Sequence, residues 1–274
     1  MKAKPIIKIS SEPDSFGEYL QKVYQKRFLI ITFTQRGLKI KYAQTVLSVL
    51  WSLIQPLTGL AIFSLFFNYI IQFNSLTMSY PVYAFTGITV WNYFSYIFSN
   101  GSTGLRESAD LIQKFNFPKV LFILSKSLIG LVEFAMAFGI CLILIFIYGE
   151  GLSVGLLLIP LITFGIATTA LGLALIVAAA TFKFRDAYHI VPYLVNFGIW
   201  FTPIFFPVSI LPEIMQKAMW FNPMAAYAEY FRWALMGGET PSINYFLGIS
   251  IGLVLFLIGL IYMKKTEDKI VDFL

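Results

Sequence analysis

Six apolar stretches, and a nearly one-sided placement of basic residues between them, constrain this chain more than any other feature. The stretches run approximately over residues 46–73, 80–100, 126–148, 152–181, 187–206 and 243–263. Each is long enough to cross a bilayer as a helix of about 20 residues. Of the 20 Lys and Arg residues, all but Lys217 and Arg232 fall before the first stretch, in the second and fourth connections counting span ends, or in the tail. Short loops rich in Lys and Arg stay on the cytoplasmic side. The pattern therefore predicts an even number of spans with both termini cytoplasmic, and it places residues 207–241 outside. It also accounts for the net charge of +6 without nucleic acid as a partner.

Composition agrees. The chain is 58% hydrophobic and 12% charged, with a mean hydropathy of +0.77, about half the charge fraction of a soluble domain. The expectation is an all-α integral membrane protein whose residues 1–274 form one transmembrane domain. Residues 15–45 would make an amphipathic helix on the cytoplasmic interface, residues 46–263 six spans, and residues 264–274 a cytoplasmic tail. The polar N-terminal segment lacks an apolar core and a small-residue cleavage site, so a cleaved signal peptide is not expected. Cys141, the single cysteine, lies in an apolar run and reads as core filler.

Residues 183–207 have an unusual build. Lys183, Arg185 and Asp186 feed an apolar run that ends in Thr202-Pro203-Ile204-Phe205-Phe206-Pro207. This reads as a helix that crosses the bilayer and breaks at its far side. Beyond it, Ser209 to Trp220 has an amphipathic pattern. Asn222-Pro223 then offers an N-cap followed by proline, and Gly237-Gly238 a stop. Two short helices on the outer face are predicted, either as hairpins dipping into the interface or as a lid. Tight Gly149-Glu150-Gly151 marks the turn between spans three and four, and Pro160 allows a kink in span four.

The chemical inventory argues against an enzyme. No GxxxxGK[ST], HExxH or paired-cysteine motif occurs, and no catalytic residue and no metal ligand is assigned. His189, the one histidine, reads as an interfacial anchor. Glu133 is the acidic residue well inside a span. It is either structural, paired with Lys126 one heptad earlier, or part of a pathway. Aromatic residues are the other anomaly, because span two carries rings throughout its length. Interfacial belts account for many rings. The alternative is that Trp51, Phe63, Phe67, Tyr83, Trp91, Phe94, Tyr193 and Trp200 line a channel and stack on sugar faces.

In this order, several short motifs resemble one family over nearly the whole chain. They are Lys41-Tyr42-Ala43-Gln44-Thr45-Val46-Leu47 with Leu50-Trp51 and Gln55-Pro56, then Phe115-Asn116-Phe117-Pro118-Lys119. Phe184-Arg185-Asp186, Val191-Pro192 and Thr202-Pro203 follow, with Asn222-Pro223, Phe231-Arg232-Trp233-Ala234-Leu235 and Glu267. The family is the membrane-spanning permease of ABC-2-type polysaccharide exporters, which serve O-antigen, capsule and teichoic acid export. Departures are modest: the family usually has Arg where Lys41 stands and another basic residue at Ala43.

The resemblance implies a homodimer of six-span subunits in the cytoplasmic membrane. Each subunit would work with an ABC ATPase subunit that binds ATP and Mg, so this chain would need no cofactor of its own. Contacts to the ATPase would involve Arg106, Asp110, Lys114, Phe117, Pro118 and Lys119. The diphosphate of a lipid-linked polysaccharide would meet Arg36, Lys39 and Lys41, although anionic membrane lipid is an equal reading of that patch. Pro203, Pro207, Trp220, Asn222, Pro223 and Arg232 would belong to an outer gate. Two alternatives are an ABC-2 exporter of a small molecule such as a drug or haem, and a membrane glycosyl- or acyltransferase. The latter has only Glu150, Glu213, Glu229 and Glu239 as outer-face acids.

Overall fold

The computed structural model describes residues 15–42, 48–66, 78–108 and 114–273. Among these the chain forms ten α-helices and no strand. They are α1 (Phe16–Gln25), α2 (Phe28–Tyr42), α3 (Ser48–Phe66), α4 (Tyr80–Glu107) and α5 (Val120–Ile147). After them come α6 (Ile159–Lys183), α7 (Ile190–Gly198), α8 (Glu213–Met219), α9 (Pro223–Met236) and α10 (Phe246–Phe273). Phe67 and Asp110 lie outside the described residues, as does the side chain of Trp51.

The predicted interface helix is two helices. α1 opens with a capping box: Ser15 Oγ accepts from Glu18 N at 3.2 Å, and Ser15 N donates to Glu18 Oε2 at 2.8 Å. That reciprocal pair satisfies donors the first turn would otherwise leave open. The chain turns at Lys26-Arg27, and α2 then lies along α5. Phe33 anchors it, with ring centroids 5.5 Å from Phe122 and 5.0 Å from Phe117.

Long helices make the body. α4, α5 and α10 have 28 residues each and α6 has 25; at 1.5 Å per residue all exceed the ~30 Å of a hydrocarbon core. By length and composition, Val120–Ile147, Val154–Thr181 and Ile243–Glu267 can each cross a membrane. α4 is as long but is interrupted by polar residues. α6 and α10 form the most extensive helix pair, and glycine explains how close they come. A Cβ on Gly172 would lie 2.5 Å from Phe256 N, and one on Gly259 would lie 2.6 Å from Gly172 O. Small residues that let backbones approach are what holds helices together where no hydrophobic effect drives them. Pro160 produces no kink; it sits in the first turn of α6, after a 3-10 turn over Val154–Leu158, where its missing N–H costs nothing.

Two expectations are corrected. The fifth stretch is not a continuous helix, because α7 has only nine residues, or about 13 Å of helix. Residues 199–206 follow as compact turns, with Thr202 N donating to Ile199 O at 3.4 Å and Ile204 N to Thr202 O at 2.7 Å. Pro203 has no N–H to continue the ladder and biases Thr202 away from helix. Secondly, α9 is not an exposed surface helix. Met224 to Ala228, Phe231, Arg232, Ala234 and Leu235 are all buried, against α4, α6 and α10. Its termini follow the sequence signals. Asn222 Oδ1 accepts from Met224 N at 2.9 Å, and Gly237 ends it with φ 76°. α8, by contrast, buries nothing.

The chain thus has two ends. One, the basic end, carries α1, α2 and the connection into α5; the other, the loop end, carries Glu150, residues 199–222 and Gly237.

Candidate functional site

One face of α4 carries Thr89, Asn92, Tyr96, Ser99 and Thr103, at intervals of three and four that keep them in a single stripe. A cavity of about 510 Å³ opens on this stripe, walled opposite by Gly130, Glu133, Phe134 and Ala137 of α5 and lined also by Lys41 and Pro56. A smaller cavity of about 160 Å³ continues along Ser99, Asn100 and Thr103 to Val191 and Pro192 of α7. Several of these groups donate to their own helix: Thr89 Oγ1 to Phe85 O at 2.8 Å, Asn100 Nδ2 to Tyr96 O at 2.9 Å, Thr103 Oγ1 to Ser99 O at 3.2 Å. A hydroxyl so engaged keeps its oxygen lone pairs as acceptors. The stripe therefore suits a ligand rich in hydroxyl donors.

An ion pair lies at its rim. Lys41 Nζ, at the end of α2, donates to Glu133 Oε1 and lies 4.3 Å from the Tyr96 ring centroid. The Tyr42 hydroxyl is 3.5 Å from the same carboxylate oxygen. Burial, and secondly the nearby Glu133, push the Tyr42 phenol up to about 12, so it remains a neutral donor at physiological pH. The partner of Glu133 is thus Lys41, from another helix. Lys126, expected one heptad earlier, instead lies 4.7 Å from the Phe122 ring centroid.

At the loop end, side chains saturate the backbone of residues 199–206. Asn222 Nδ2 donates to Phe201 O at 3.0 Å, Arg232 Nη2 to Ile204 O at 3.0 Å, Tyr80 Oη to Phe205 O at 3.1 Å and Tyr83 Oη to Phe206 O at 2.8 Å. Buried irregular backbone survives only when such partners exist. Pro203, Asn222 and Arg232 are thereby brought together around one loop. Pro207 is buried beside it, and Trp220 and Pro223 are half-buried at the ends of α8 and α9.

The aromatic residues separate into two groups. Tyr83, Trp91 and Phe94 are 4%, 5% and 6% exposed: Tyr83 clamps the loop, and Trp91 meets Phe94 at 5.2 Å and walls the space beside Gly198. Tyr193 and Trp200 are 66% and 51% exposed. Phe63 of α3 joins this second group, 5.7 Å from Trp200 and stacked at 3.8 Å on Phe205. Tyr83, Trp91 and Phe94 of α4 therefore occupy the protein interior, and the open rings sit on α7 and the loop after it, with Phe63 of α3 beside them.

The basic end is also sorted by burial. Arg106 and Lys114 are exposed, whereas Phe117, Pro118 and Lys119 are buried. The latter three pack within this chain. Phe117 packs on Phe33, and Lys119 Nζ donates to Phe117 O at 3.0 Å. Glu267 of α10 ties this turn to α1, accepting from Lys119 N at 2.7 Å and from Tyr19 Oη at 2.6 Å. Arg36 and Lys39 are exposed on α2. The α4 stripe was missed at the level of sequence, although polar residues recurring every three or four positions in an apolar span signal it.

Residues 29–236 match the family described as ABC-2 type transporter. The chain is 28% identical to the O-antigen export system permease protein RfbA of Myxococcus xanthus, over 76% of this chain and 80% of that protein. It is 26% identical to a Klebsiella pneumoniae protein of the same name, over 90% and 95%. It is 24% identical to the polysialic acid transport protein KpsM of Escherichia coli, over 85% and 91%. The chain belongs to the ABC-2 type transporter family.

Proposed function

We propose that this chain is the permease subunit of an ATP-driven exporter that moves a lipid-linked polysaccharide outward across the cytoplasmic membrane. The observation that carries the reading is the stripe of hydroxyl and amide groups along α4, opening into a cleft between helices. Such a surface offers repeated acceptors to sugar hydroxyls, and a drug-sized apolar ligand has no use for them. The relatives named for O-antigen export and polysialic acid transport support the same substrate class.

The working unit is a homodimer with two ABC ATPase subunits, on which ATP and Mg are bound. α3, α4, α5, α6 and α10 supply five crossings. The fifth in chain order is α7 with its clamped loop, which runs beside α4 from the level of Thr103 to that of Tyr80. Both termini are cytoplasmic, as the basic residues indicate. Exposed Arg106 and Lys114 meet the ATPase, and Phe63, Tyr193 and Trp200 face the translocation path with the α4 stripe. The clamped loop with α8 and α9 forms the outer gate.

The test is reconstitution of the chain with its ATPase partner in vesicles. Protected glycan should appear on the far side with ATP and not with a non-hydrolysable analogue. ATP turnover without glycan transfer, for any lipid-linked glycan drawn from the source cell, would refute the reading.

A further inference from the structure

The Lys41–Glu133 pair stays accessible at the cleft: the two side chains keep 35% and 23% of their surface. α2 is held on α5 by Phe33 and by Thr34, whose Oγ1 donates to Ile30 O at 2.7 Å and lies 3.4 Å from Ser125 O. Yet a carboxylate inside a membrane helix is costly unless it does something. Its position is telling. It holds a lysine ammonium at the rim of the 510 Å³ cleft, against the Tyr96 ring, with the Tyr42 hydroxyl alongside.

We propose that Lys41 is an exchange site for a lipid-borne phosphate, with Glu133 as the internal anion that holds it until the phosphate arrives. This rests on the export reading above. A phosphate or diphosphate brings more charge and more acceptor oxygens than one carboxylate, so it takes the ammonium by charge-assisted hydrogen bonds. Released Glu133 is not stranded, because the Tyr42 hydroxyl is already within 3.5 Å and sugar hydroxyls entering the α4 cleft donate to it. The carboxylate also acts against wrong partners: a head group without net negative charge does not displace it. Binding of the lipid head thereby opens the rim through which the first sugars reach the stripe.

The two residues then have opposite effects on binding, which a structural ion pair does not produce. The full-length chain is placed in phosphatidylcholine nanodiscs and titrated with polyprenyl diphosphate, and separately with phosphatidylglycerol. Glu133→Gln should tighten polyprenyl diphosphate binding by about tenfold, and Lys41→Gln should weaken it by about tenfold or more. Lys41→Arg should retain binding, and the double variant should bind as weakly as Lys41→Gln. Thermal unfolding of each variant checks that it folds.

Equal weakening by both single variants, or no change in either, overturns the exchange. Opposite shifts seen with phosphatidylglycerol alone support the exchange but identify its occupant as a bilayer phosphate, and the glycan-lipid reading then fails at this site. Normal ATP-driven glycan export by both single variants leaves the export reading standing and overturns the exchange.

Discussion

Arg232 on α9 donates from Nη2 to the carbonyl oxygen of Ile204 at 3.0 Å, joining two segments 28 residues apart. Its guanidinium carbon lies 3.6 Å from the Tyr83 ring centroid, and Nη1 donates to Glu229 Oε1 at 2.9 Å. One buried cation therefore ties α4, the 199–206 loop and α9 into a single block. Arg232→Ala leaves Ile204 O and Glu229 without this donor and should destabilise the protein by about 3 kcal/mol. Arg232→Lys should recover little, because a point charge cannot span the carbonyl, the carboxylate and the ring together. Thermal unfolding in detergent measures both, and an unchanged midpoint for Arg232→Ala would remove the clamp from the account.

Close approach of α6 and α10 leads to a contrast between glycines. Gly172→Leu and Gly259→Leu would force side chains into backbone atoms at 2.5 and 2.6 Å, at positions where the neighbour cannot move aside. Both should abolish monodisperse protein on size exclusion. Gly139→Leu, on α5 with nothing within 4 Å of its Cβ position, should be tolerated. Equal behaviour of all three variants would mean that the α6–α10 contact is not needed for folding.

Glu150 lies across the start of α4. Its Oε1 accepts from both Ser79 N and Ser79 Oγ at 2.6 Å, replacing the side-chain cap that Ser79 itself does not make. A carboxylate there also faces the positive end of the helix. Glu150→Ala should cost about 1–2 kcal/mol, the usual range for a lost cap, and Glu150→Gln less, since its amide oxygen still accepts. Denaturant unfolding of the two variants would show the difference in midpoint; no loss in either would contradict the capping role.

At the basic end, Glu267→Ala should release α1 while leaving the bundle folded. It removes acceptors for Tyr19 Oη and Lys119 N, 248 and 148 residues away in sequence. Amide hydrogen exchange should rise in residues 16–25 and stay unchanged in α6. Tyr19→Phe should reproduce the change at α1 alone. Protection of α1 unchanged in both variants would place its anchoring elsewhere.

The two groups of aromatic residues should respond differently. Trp91→Ala opens a cavity in packed interior and should cost about 3–5 kcal/mol, with export falling only as far as folded protein falls. Tyr193→Ala and Trp200→Ala lose little burial, so their unfolding midpoints should hold while glycan export per folded transporter declines. The reverse assignment of stability and export between the groups would put the path on the buried face of α4.

Short-range chemistry was readable directly. The Asn222-Pro223 start and Gly237 stop of α9, the turn at Gly149 with φ 68°, and the long apolar helices depend on residues a few positions apart. The order of motifs along the chain carried the family in the same way. Misreadings came where distant segments meet. Residues 187–206 looked like one continuous helix because hydropathy averages over a window and is blind to carbonyls that Tyr80, Tyr83, Asn222 and Arg232 must satisfy. α9 looked like an outer-face element because the basic-residue pattern placed residues 207–241 outside, when it is buried, with Arg232 held by partners in two other segments.

Which stretches are apolar, where helices start and stop, and which end carries positive charge are properties of local composition, and the amino-acid order settles them. Which carboxylate holds Lys41, 92 residues away, is another matter. So is which rings are buried and which are open. Those depend on which faces of α4 are covered by α5, α7 and α9, and a helical period specifies a face without specifying its neighbour. The polar cleft exists only because packing leaves one stripe of α4 uncovered.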